Sequence, residues 1–313
     1  MSPKNILITG VNGFVGQHAA RAFQADGFEV YGIGREQLPS PDIADLLSNY
    51  YPCDLADPYM VSRLDLTRAD AILHLAGVPT TTNQPKEAER VLKINVAVHE
   101  MLYDALLDIG SKARIISVGT ALSFDPNDSM PLDEQSAMLT DIDDTNPYIR
   151  SKLRVLTLTK KFRDLGLDII DALPSNHTGP LQGLGLFVPD KTAQILEAKR
   201  TGQKLDFGDK LDFWKDFTDV RDVAQAYLLL AKTNRDQLTN NRYCIGSGEA
   251  TYGQDIVVKL AQLVDFKGLT ANLDPTTSKA RKITINASLL TAHTGWQKQI
   301  QFDKTLRDYV ASL

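Results

Sequence analysis

The chain has 313 residues, of which 43% are hydrophobic and 23% charged, so it is long enough for one large or two modest domains with buried cores. Its formal net charge of -5 lacks the basic excess that nucleic-acid binding requires, so we expect no nucleic-acid partner. No apolar stretch approaches the roughly 18 residues of a membrane span, and no signal peptide is recognisable. We therefore expect a cytoplasmic protein without membrane attachment.

Short β-branched segments alternate with longer helical segments through the first half of the chain. The predicted strands cover residues 5–9, 29–33, 70–76, 113–119 and 167–173, and the helical segments cover 13–27, 87–110 and 151–166. This alternation is typical of helices packed on both faces of a parallel sheet. It predicts an α/β protein with a Rossmann-type doubly wound sheet of about seven strands.

The pattern becomes less regular after residue 173, where Gly and Pro crowd the segment SNHTGPLQGLGLFVP. We predict a nucleotide-binding domain over residues 1–173 and a smaller α/β substrate-binding lobe over 174–313. The segment near 215–246 ends in the strand-like NRYCIGSG and is expected to return to the main sheet. Residues 125–147 contain seven acidic residues and no basic one, which predicts a solvated loop.

Neither the cysteines nor the histidines are spaced as metal ligands. Cys53 and Cys244 are far apart in sequence and form no C-x-x-C pair, and the five histidines show no pairing at helical spacing. We predict two buried, reduced thiols and no bound metal ion.

The first strand ends in a glycine-rich turn, ITGVNGFVG, that opens the first helix. Gly10 would permit a tight turn, Gly13 would let backbone N–H groups approach a pyrophosphate, and Gly16 would let the helix pack closely on the strand. A strand, a glycine turn and a helix in this order predict a dinucleotide site. The alternative is a glycine-rich turn that binds nothing.

The G-x-x-G-x-x-G spacing resembles the short-chain dehydrogenase/reductase superfamily, in particular its extended branch of NAD(P)-dependent nucleotide-sugar epimerases and dehydratases. The resemblance covers essentially the whole chain. It implies a nicotinamide cofactor, whose contacts would come from Gly10, Asn12, Gly13, Phe14, Val15, Gly16, Arg35, Asp54, Leu55, Leu75, Ala76, Gly77, Asn95, Tyr148 and Lys152.

The end of the second strand, EVYGIGRE, indicates which nicotinamide cofactor is bound. An acidic residue at this point binds the ribose 2′-hydroxyl of NAD, whereas the 2′-phosphate of NADP needs that acid absent and a cation nearby. Gly34 occupies the expected acidic position and Arg35 follows it. The pattern favours NADP(H), with NAD as the alternative.

The segment NPYIRSK predicts the catalytic pair. Tyr148 and Lys152 are one helical turn apart at the start of a helix, so both side chains share one face. A phenol has a pKa of about 10, which a neighbouring ammonium and the positively charged nicotinamide of the cofactor are expected to lower, so that Tyr148 can exchange a proton with a carbonyl oxygen. The family resemblance adds Thr120 as a hydroxyl donor to the same oxygen, and Asn95 as a support of the site or, equally, a satisfied core amide.

Several departures from the family pattern narrow the reaction. The positions after Thr120 are Ala121 and Leu122, where family dehydratases carry an acid and a base, so dehydration is disfavoured. Phe124 replaces a tyrosine, and Leu173 replaces an arginine. Neither substitution has a consequence that the sequence reveals.

The segments SNHTGPLQ and KDFTDVRD resemble the substrate-lobe signatures of the family, particularly those of the reductases that act on GDP-4-keto-6-deoxymannose. This implies substrate contacts from Thr120, Ala121, Asn176, His177, Lys215 and Arg221. Lys215 stands where the family more often has an arginine, which weakens the match for a diphosphate. Arg221 could equally form an ion pair with Asp219 or Asp222.

Two helices, over 88–109 and 149–165, carry apolar residues beyond one stripe. We expect them to form a homodimer interface, as the resemblance also implies; deeper burial within one subunit is the alternative.

Three functions remain open: an NADPH-dependent reductase of a nucleotide-linked 4-keto-6-deoxy sugar, an NAD-dependent nucleotide-sugar epimerase, and a non-catalytic NADP-binding protein.

Overall fold

The computed structural model describes residues 4–78, 85–140, 146–270 and 274–313. Its centre is a parallel sheet of seven strands in the order β3-β2-β1-β4-β5-β6-β9. These strands are β1 (Asn5–Thr9), β2 (Glu29–Gly34), β3 (Asn49–Pro52), β4 (Ala71–His74), β5 (Arg114–Val118), β6 (Asp168–Pro174) and β9 (Arg242–Ile245). This confirms the predicted α/β class and the doubly wound sheet.

Helices cover both faces of this sheet. In the described parts of the chain the helices are α1 (Phe14–Ala25), α2 (Pro58–Val61), α3 (Pro85–Asp108), α4 (Pro147–Asp164), α5 (Phe187–Thr201), α6 (Val220–Lys232), α7 (Gly253–Leu263), α8 (Ser288–Thr294) and α9 (Phe302–Ala311). Helices α1 and α6 pack together on one face, and α3 and α4 pack together on the other. Within the described parts of the chain, no helix combines the length and apolar character that crossing a bilayer would require.

Two apolar clusters, one on each face, enclose the sheet. The first joins α1 and α6 to the sheet through Ala20, Phe23, Val223 and Tyr227, all of which are fully buried. The second joins α3 to the other face through Leu102, Tyr103 and Leu106. Because the inner strands of this parallel sheet are covered on both faces, most of their positions are apolar.

A second, smaller lobe is built on a three-stranded sheet. Its strands are β7 (Asn176–Thr178), β8 (Trp214–Asp219) and β10 (Ala250–Tyr252), in the order β10-β8-β7. Helices α5, α7 and α9 pack around a separate apolar cluster that includes Ile195, Phe217 and Leu260. Strand β9 lies in the large sheet beside β6, whereas β8 lies in the small one, so the chain crosses between the two sheets within residues 215–246.

The buried carboxylate of Asp216 ties this lobe to the large sheet. It accepts hydrogen bonds from the backbone N–H groups of Ser247, Gly248 and Ile285, at 2.9, 2.9 and 3.1 Å. Ser247 and Gly248 lie in the segment just after β9. Asp216 on β8 is therefore fixed against the segments that follow the last strand of the large sheet.

The acidic segment 125–147 is more ordered than a solvated loop; its residues 141–145 lie outside the described part. Leu132 is buried and bridges to Ile285, and the side chain of Glu134 accepts a hydrogen bond from the backbone N–H of Cys244 at 2.7 Å. The expectation of a solvated loop was wrong at these positions. The edge strand β9 has an N–H group to satisfy, and Glu134 satisfies it.

Candidate active site

The glycine turn after β1 has the backbone geometry that its sequence predicts. Gly10 has a φ of +67°, and a Cβ there would lie 3.1 Å from the backbone nitrogen of Ala76. A Cβ on Gly16 would lie 2.4 Å from the carbonyl oxygen of Gly10. Only glycine fits at either position, so strand β1, helix α1 and the loop after β4 meet at van der Waals distance.

The first turn of α1 leaves backbone donors beside the glycine turn. Gly13 is the N-cap, so no side chain accepts hydrogen bonds from the first N–H groups, and no acidic residue lies in the first turn. The N–H groups at a helix start have no partner within the helix, and the helix dipole favours an anion there. A dinucleotide pyrophosphate fits this cradle, which includes Phe14, Val15 and Gly16.

The loop after β4 is held against β1 by one buried hydroxyl. Thr9 Oγ1 accepts hydrogen bonds from the backbone N–H groups of Leu75 and Ala76, at 3.1 and 3.0 Å, and pairs with His74 Nδ1 at 2.7 Å. Thr9 and His74 are register partners, so the carboxyl ends of the two strands share one edge of the sheet. Gly77, the next residue, is exposed at this edge.

Asn95 connects this loop to the helix that carries the predicted catalytic pair. Its side chain accepts from the N–H of Val78 at 2.7 Å, and its Nδ2 donates to the Val78 carbonyl at 3.1 Å and to Ser151 Oγ at 2.9 Å. Ser151 in turn donates to the carbonyl of Tyr148 at 2.7 Å. Asn95 is buried, and both its amide oxygen and its amide nitrogen have hydrogen-bond partners, as a satisfied core amide does. The same hydrogen bonds connect the loop after β4 to helix α4, so the two interpretations of this residue are compatible.

Tyr148 and Lys152 lie on the first turns of α4. The side chain of Asn146 caps this helix by accepting from the N–H of Tyr148 at 2.9 Å. Lys152 Nζ lies 5.7 Å from the centroid of the Tyr148 ring and donates to the carbonyl of Val118, the last residue of β5, at 2.6 Å. This places the pair at the same sheet edge as the glycine turn.

Burial sets the protonation of this pair in the protein alone. It raises the pKa of Tyr148 to about 12 and lowers the pKa of Lys152 to about 8. At neutral pH the phenol therefore carries its proton. The expected lowering of the tyrosine pKa includes the charge of a bound nicotinamide and stays a prediction for the cofactor complex.

Thr120 lies two residues after the end of β5 and is buried. Its Oγ1 accepts from the N–H of Leu122 at 3.3 Å, which leaves the hydroxyl proton available to another acceptor. Ala121 is buried and Leu122 is 40% exposed, and neither side chain can transfer a proton. Leu173 is fully buried in β6, where a charged side chain would have no water.

The loop after β2 contains a carboxylate, that of Glu36, which was not predicted as part of the site from the sequence. Asn12 Nδ2 donates to Glu36 Oε2 at 3.0 Å, and this hydrogen bond lowers the pKa of Glu36. Asn12 Oδ1 accepts from the N–H of Ser40 at 2.8 Å, and Tyr50 donates to the carbonyl of Glu36 at 2.7 Å. Asn12 thus braces the loop after β2.

Gly34 and Arg35 lie beside the hydrogen bonds that Asn12 makes with this loop. A Cβ on Gly34 would lie 2.5 Å from the hydroxyl of Tyr50, so an acidic side chain at this position would require Tyr50 to move. Arg35 is exposed, and no carboxylate in the described part of the chain lies within ion-pair distance of it. Asp54 is exposed and caps a turn by accepting from Ala56 N–H, while Leu55 is buried beneath it.

The substrate-lobe residues form two groups. Asn176 Nδ2 donates to the carbonyl of Asp216 at 3.1 Å, and the His177 ring stacks on Phe14 with centroids 6.3 Å apart. Lys215 is half-buried over the ring of Phe213, and burial lowers its pKa. Among the described residues, no carboxylate lies close enough to neutralise Lys215.

Arg221 is engaged within the protein. It donates to Asp219 and to Asp308, each at 2.7 Å, and these hydrogen bonds raise its pKa further. The ion-pair alternative with Asp219 describes this residue, so the structure gives no support to Arg221 as a diphosphate ligand. Its guanidinium joins the start of α6 to α9.

Ser151, like Glu36, was not predicted from the sequence. The signal for Glu36 was an acidic residue directly after the Gly34-Arg35 pair, close to the position where an acid decides cofactor choice. Ser151 lies between Tyr148 and Lys152 in the chain, but a lone serine in a helix carries no signal of its own. Its role depends on Asn95, which lies on a different helix.

A model of the NAD dependent epimerase/dehydratase family matches residues 6–246 of the chain. GDP-6-deoxy-D-mannose reductase of Pseudomonas aeruginosa is 27% identical over 312 residues, which span 97% of this chain and 95% of that protein. UDP-glucose 4-epimerase of Lactobacillus helveticus is 23% identical and covers 75% of each chain.

Solved structures share the fold over nearly the full chain. The structure of RMD from Pseudomonas aeruginosa complexed with NADPH has a TM-score of 0.78 at 24% identity, covering 99% of this chain and 98% of that one. UDP-glucose 4-epimerase from Thermotoga maritima with UDP-glucose has a TM-score of 0.83 at 22% identity, covering 98% of each chain. Reductases and epimerases therefore both occur among the similar proteins.

Proposed function

The chain belongs to the NAD dependent epimerase/dehydratase family, and on that premise we propose that it is an NADPH-dependent reductase of a nucleotide-linked 4-keto-6-deoxy sugar. The observation that carries this proposal is the contact between Tyr148 and the buried Lys152 at the sheet edge that also holds the glycine turn. The similarity to GDP-6-deoxy-D-mannose reductase across the whole chain supports the substrate class.

Reduction of a ketone adds a hydride to the carbonyl carbon and a proton to its oxygen, and the bound nicotinamide cofactor supplies the hydride. Tyr148 supplies the proton, because its pKa of about 12 keeps the phenol protonated at neutral pH. Lys152, with a pKa of about 8, is mostly charged at pH 7 and stabilises the phenolate that remains. Solvent then returns the proton to Tyr148.

Thr120 assists by stabilising charge on the reacting oxygen. Its hydroxyl accepts from Leu122 N–H and can donate its own proton to the substrate oxygen. A fixed donor of this kind is worth about 3 kcal/mol of transition-state stabilisation. Dehydration is disfavoured, since Ala121 and Leu122 provide neither an acid nor a base.

The choice of NADPH rests on the end of β2. Gly34 offers no carboxylate to a ribose 2′-hydroxyl, and the exposed Arg35 can pair with a 2′-phosphate. Glu36 stands against this preference, because a carboxylate nearby disfavours a phosphate, but its Oε2 is engaged by Asn12. NAD is the alternative cofactor.

The second candidate function is an NAD-dependent nucleotide-sugar epimerase, which the similarity to UDP-glucose 4-epimerases favours. Such an enzyme would use the same residues but retain its cofactor through the cycle. Freshly purified protein should carry tightly held NAD if this candidate is right, and should exchange NADPH freely if the reductase proposal is right. A non-catalytic NADP-binding protein is the third candidate, and it leaves the Tyr148–Lys152 pair without a purpose.

A thermal-shift screen identifies the substrate class. Nucleotide sugars are added with and without NADPH, and a ligand that binds the folded state raises the melting temperature with the logarithm of its saturation. GDP-linked 4-keto-6-deoxyhexoses should give the largest shift, and more so with NADPH present. A larger shift from UDP-hexoses with NAD would favour the epimerase.

We also propose that the protein is a homodimer through α3 and α4. These helices pack together and leave a surface of half-buried apolar side chains, which are Ile94, Met101, Ile149, Leu153 and Leu158. Leu153→Asp should shift the protein to a monomer by light scattering at micromolar concentration. Leu196→Asp, at a 39% exposed position on α5, is the matched control and should leave the dimer intact. A monomeric wild-type protein would contradict the proposal.

A further inference from the structure

Two buried histidines from different elements lie in contact. His74 ends β4 and His99 lies on α3; each is 1% exposed, and their ring centroids are 4.1 Å apart at an interplanar angle of 72°. The ring of Tyr103 packs against both, at centroid distances of 6.0 and 5.9 Å. A buried polar group destabilises the fold unless it is hydrogen-bonded, so the positions of the ring protons decide what this contact does.

The hydrogen bonds of Thr9 fix where His74 carries its proton. A hydroxyl has one proton to donate and two lone pairs with which to accept. Thr9 Oγ1 accepts from the N–H groups of Leu75 and Ala76, so its own proton is donated to His74 Nδ1, which lies 2.7 Å away. His74 therefore accepts at Nδ1, and in its neutral form it carries the ring proton at Nε2.

His99 has the opposite tautomer. Its Nδ1 lies 2.7 Å from the backbone carbonyl oxygen of Asn95, which can only accept, so Nδ1 carries the proton and Nε2 has a lone pair. Among the residues that the structure describes, neither His74 Nε2 nor His99 Nε2 has a hydrogen-bond partner. The Tyr103 hydroxyl donates to Ser117 Oγ at 2.8 Å, so its proton is not available to either ring. One ring thus offers a donor to the other, which offers an acceptor.

Both rings are neutral at neutral pH. Burial, and then the positive charge of Lys152 on α4, lower the pKa of His74 to about 3. Burial, His74 and Lys152 hold the pKa of His99 well below its usual value. An N–H placed against the lone pair or the face of a second imidazole attracts it weakly. A protonated His99 would carry an N–H at Nε2 as well, and the two rings would then offer two donors to each other.

The two histidines join the two supports of the loop after β4. Thr9, on β1, holds the N–H groups of residues 75 and 76 and contacts His74. Asn95, on α3, holds the N–H and C=O of Val78, and its backbone carbonyl accepts from His99. The contact between the two rings therefore closes a continuous path from β1 to α3 around this loop.

We propose that His74 and His99 are positioning residues that act as one unit, in opposite neutral tautomers, to hold the loop after β4 against helix α3. Asn95 carries the effect further, because its Nδ2 donates to Ser151 Oγ, and Ser151 donates to the carbonyl of Tyr148. The consequence for catalysis rests on the proposed function. Neither ring takes part in the chemical step; the pair keeps Tyr148 in place relative to the glycine turn.

The side-chain spectra of labelled protein report the tautomers directly. The chain has five histidines, few enough for long-range proton–nitrogen correlation spectra to resolve, which are His18, His74, His99, His177 and His293. We expect an Nε2–H pattern for His74, an Nδ1–H pattern for His99, and no titration of either ring between about pH 6 and 8. The spectra are recorded on the wild-type protein without cofactor, so this result does not depend on the proposed function.

A double-mutant cycle measures whether the two rings act together. His74→Phe, His99→Phe and the double variant keep an aromatic ring at each position and remove its nitrogen atoms. With NADPH and a GDP-linked 4-keto-6-deoxyhexose, each single variant should lower kcat about tenfold and leave the KM of the sugar near wild type, because one contact on the path to Tyr148 is lost. The double variant should lose much less than the product of the two effects, since both changes remove the same ring contact.

His293→Phe is the matched control. His293 Nδ1 pairs with the hydroxyl of Tyr243 at 2.8 Å, on the edge strand β9, so this variant also loses a histidine hydrogen bond but should keep the wild-type kcat. The same tautomer in both rings, titration of either ring near neutral pH, or losses that multiply in the double variant would overturn the inference. A wild-type protein that reduces no nucleotide sugar but shows opposite tautomers would overturn the proposed function and confirm the histidine pair.

Discussion

The ammonium of Lys152 donates a hydrogen bond to the carbonyl of Val118 at 2.6 Å and so joins helix α4 to the carboxyl end of strand β5. This contact fixes helix α4 at the edge of the sheet where the glycine turn lies. It also removes the ammonium from water, which lowers the pKa of Lys152 to about 8. Keeping the charged Lys152 ammonium beside Tyr148 therefore lowers the free energy of unfolding.

That cost predicts a specific dependence of stability on pH. Between pH 8 and 10.5 the unfolded chain holds a proton on Lys152 that the folded protein has lost, so the free energy of unfolding rises with pH. The slope of this free energy reaches about 1.4 kcal/mol per pH unit. The stability that the deprotonated Lys152 contributes is lost as the pH falls through 8. Tyr148 acts in the opposite direction only above pH 10, where the unfolded phenol ionises first.

Lys152→Met should lack this rise, so the stability of the wild type relative to the variant should increase by about 1–2 kcal/mol from pH 7.5 to 9.5. Urea unfolding at several pH values measures the difference. Lys161→Met, at an exposed position on the same helix, is the control and should follow the wild-type profile. Parallel profiles for the wild type and Lys152→Met would show that the buried charge is not responsible.

Asn95→Ala should break the link between the loop after β4 and helix α4. We expect a loss of about 2–3 kcal/mol in the free energy of unfolding, because the N–H and C=O of Val78 lose their buried partner. Ser151→Ala, which removes only one of these contacts, should cost about 1 kcal/mol. The double variant should lose less than the sum, since both changes remove the same hydrogen bond. Additive losses would mean that the two side chains are not coupled.

Cofactor preference should depend on two adjacent side chains with opposite charges. Arg35→Ala should weaken the binding of NADPH by roughly 10-fold or more relative to the binding of NADH, because a charge-assisted contact with the 2′-phosphate is lost. Glu36→Gln should shift the ratio toward NADPH, since a carboxylate near the phosphate is removed while the side chain keeps its shape. Titrations of both cofactors with both variants measure the ratio. A ratio that neither substitution moves would place the 2′-group elsewhere.

Lys215→Ala should raise the KM for the nucleotide sugar while leaving kcat and the NADPH dissociation constant near wild type. The half-buried ammonium has no acidic partner among the described residues and is available to a diphosphate. Lys215→Arg should retain or improve substrate binding, because guanidinium binds phosphate groups in a bidentate manner. An alanine variant with unchanged KM would remove Lys215 from the substrate site.

The sequence predicted the large sheet because its longer strands are short apolar runs, and because α1, α3 and α4 combine helical periodicity with a glycine shortly after the helix end. Strand β3 was missed, since Asn49–Pro52 contains two polar or proline positions and lies at the sheet edge. Spacing predicted the proximity of Tyr148 and Lys152, because both lie on one helix. Contacts between distant segments, such as Asn95 with Ser151 or Arg221 with Asp308, depend on how helices pack and have no local signal.

The central claim is that Tyr148 donates the proton in an NADPH-dependent reduction, and single-turnover oxidation of NADPH with a GDP-linked 4-keto-6-deoxyhexose tests it most directly. Tyr148→Phe should bind NADPH normally but reduce the substrate about 100-fold or more slowly, whereas Tyr59→Phe, at a 66% exposed position, should match the wild type. Equal rates for Tyr148→Phe and wild type would contradict the account.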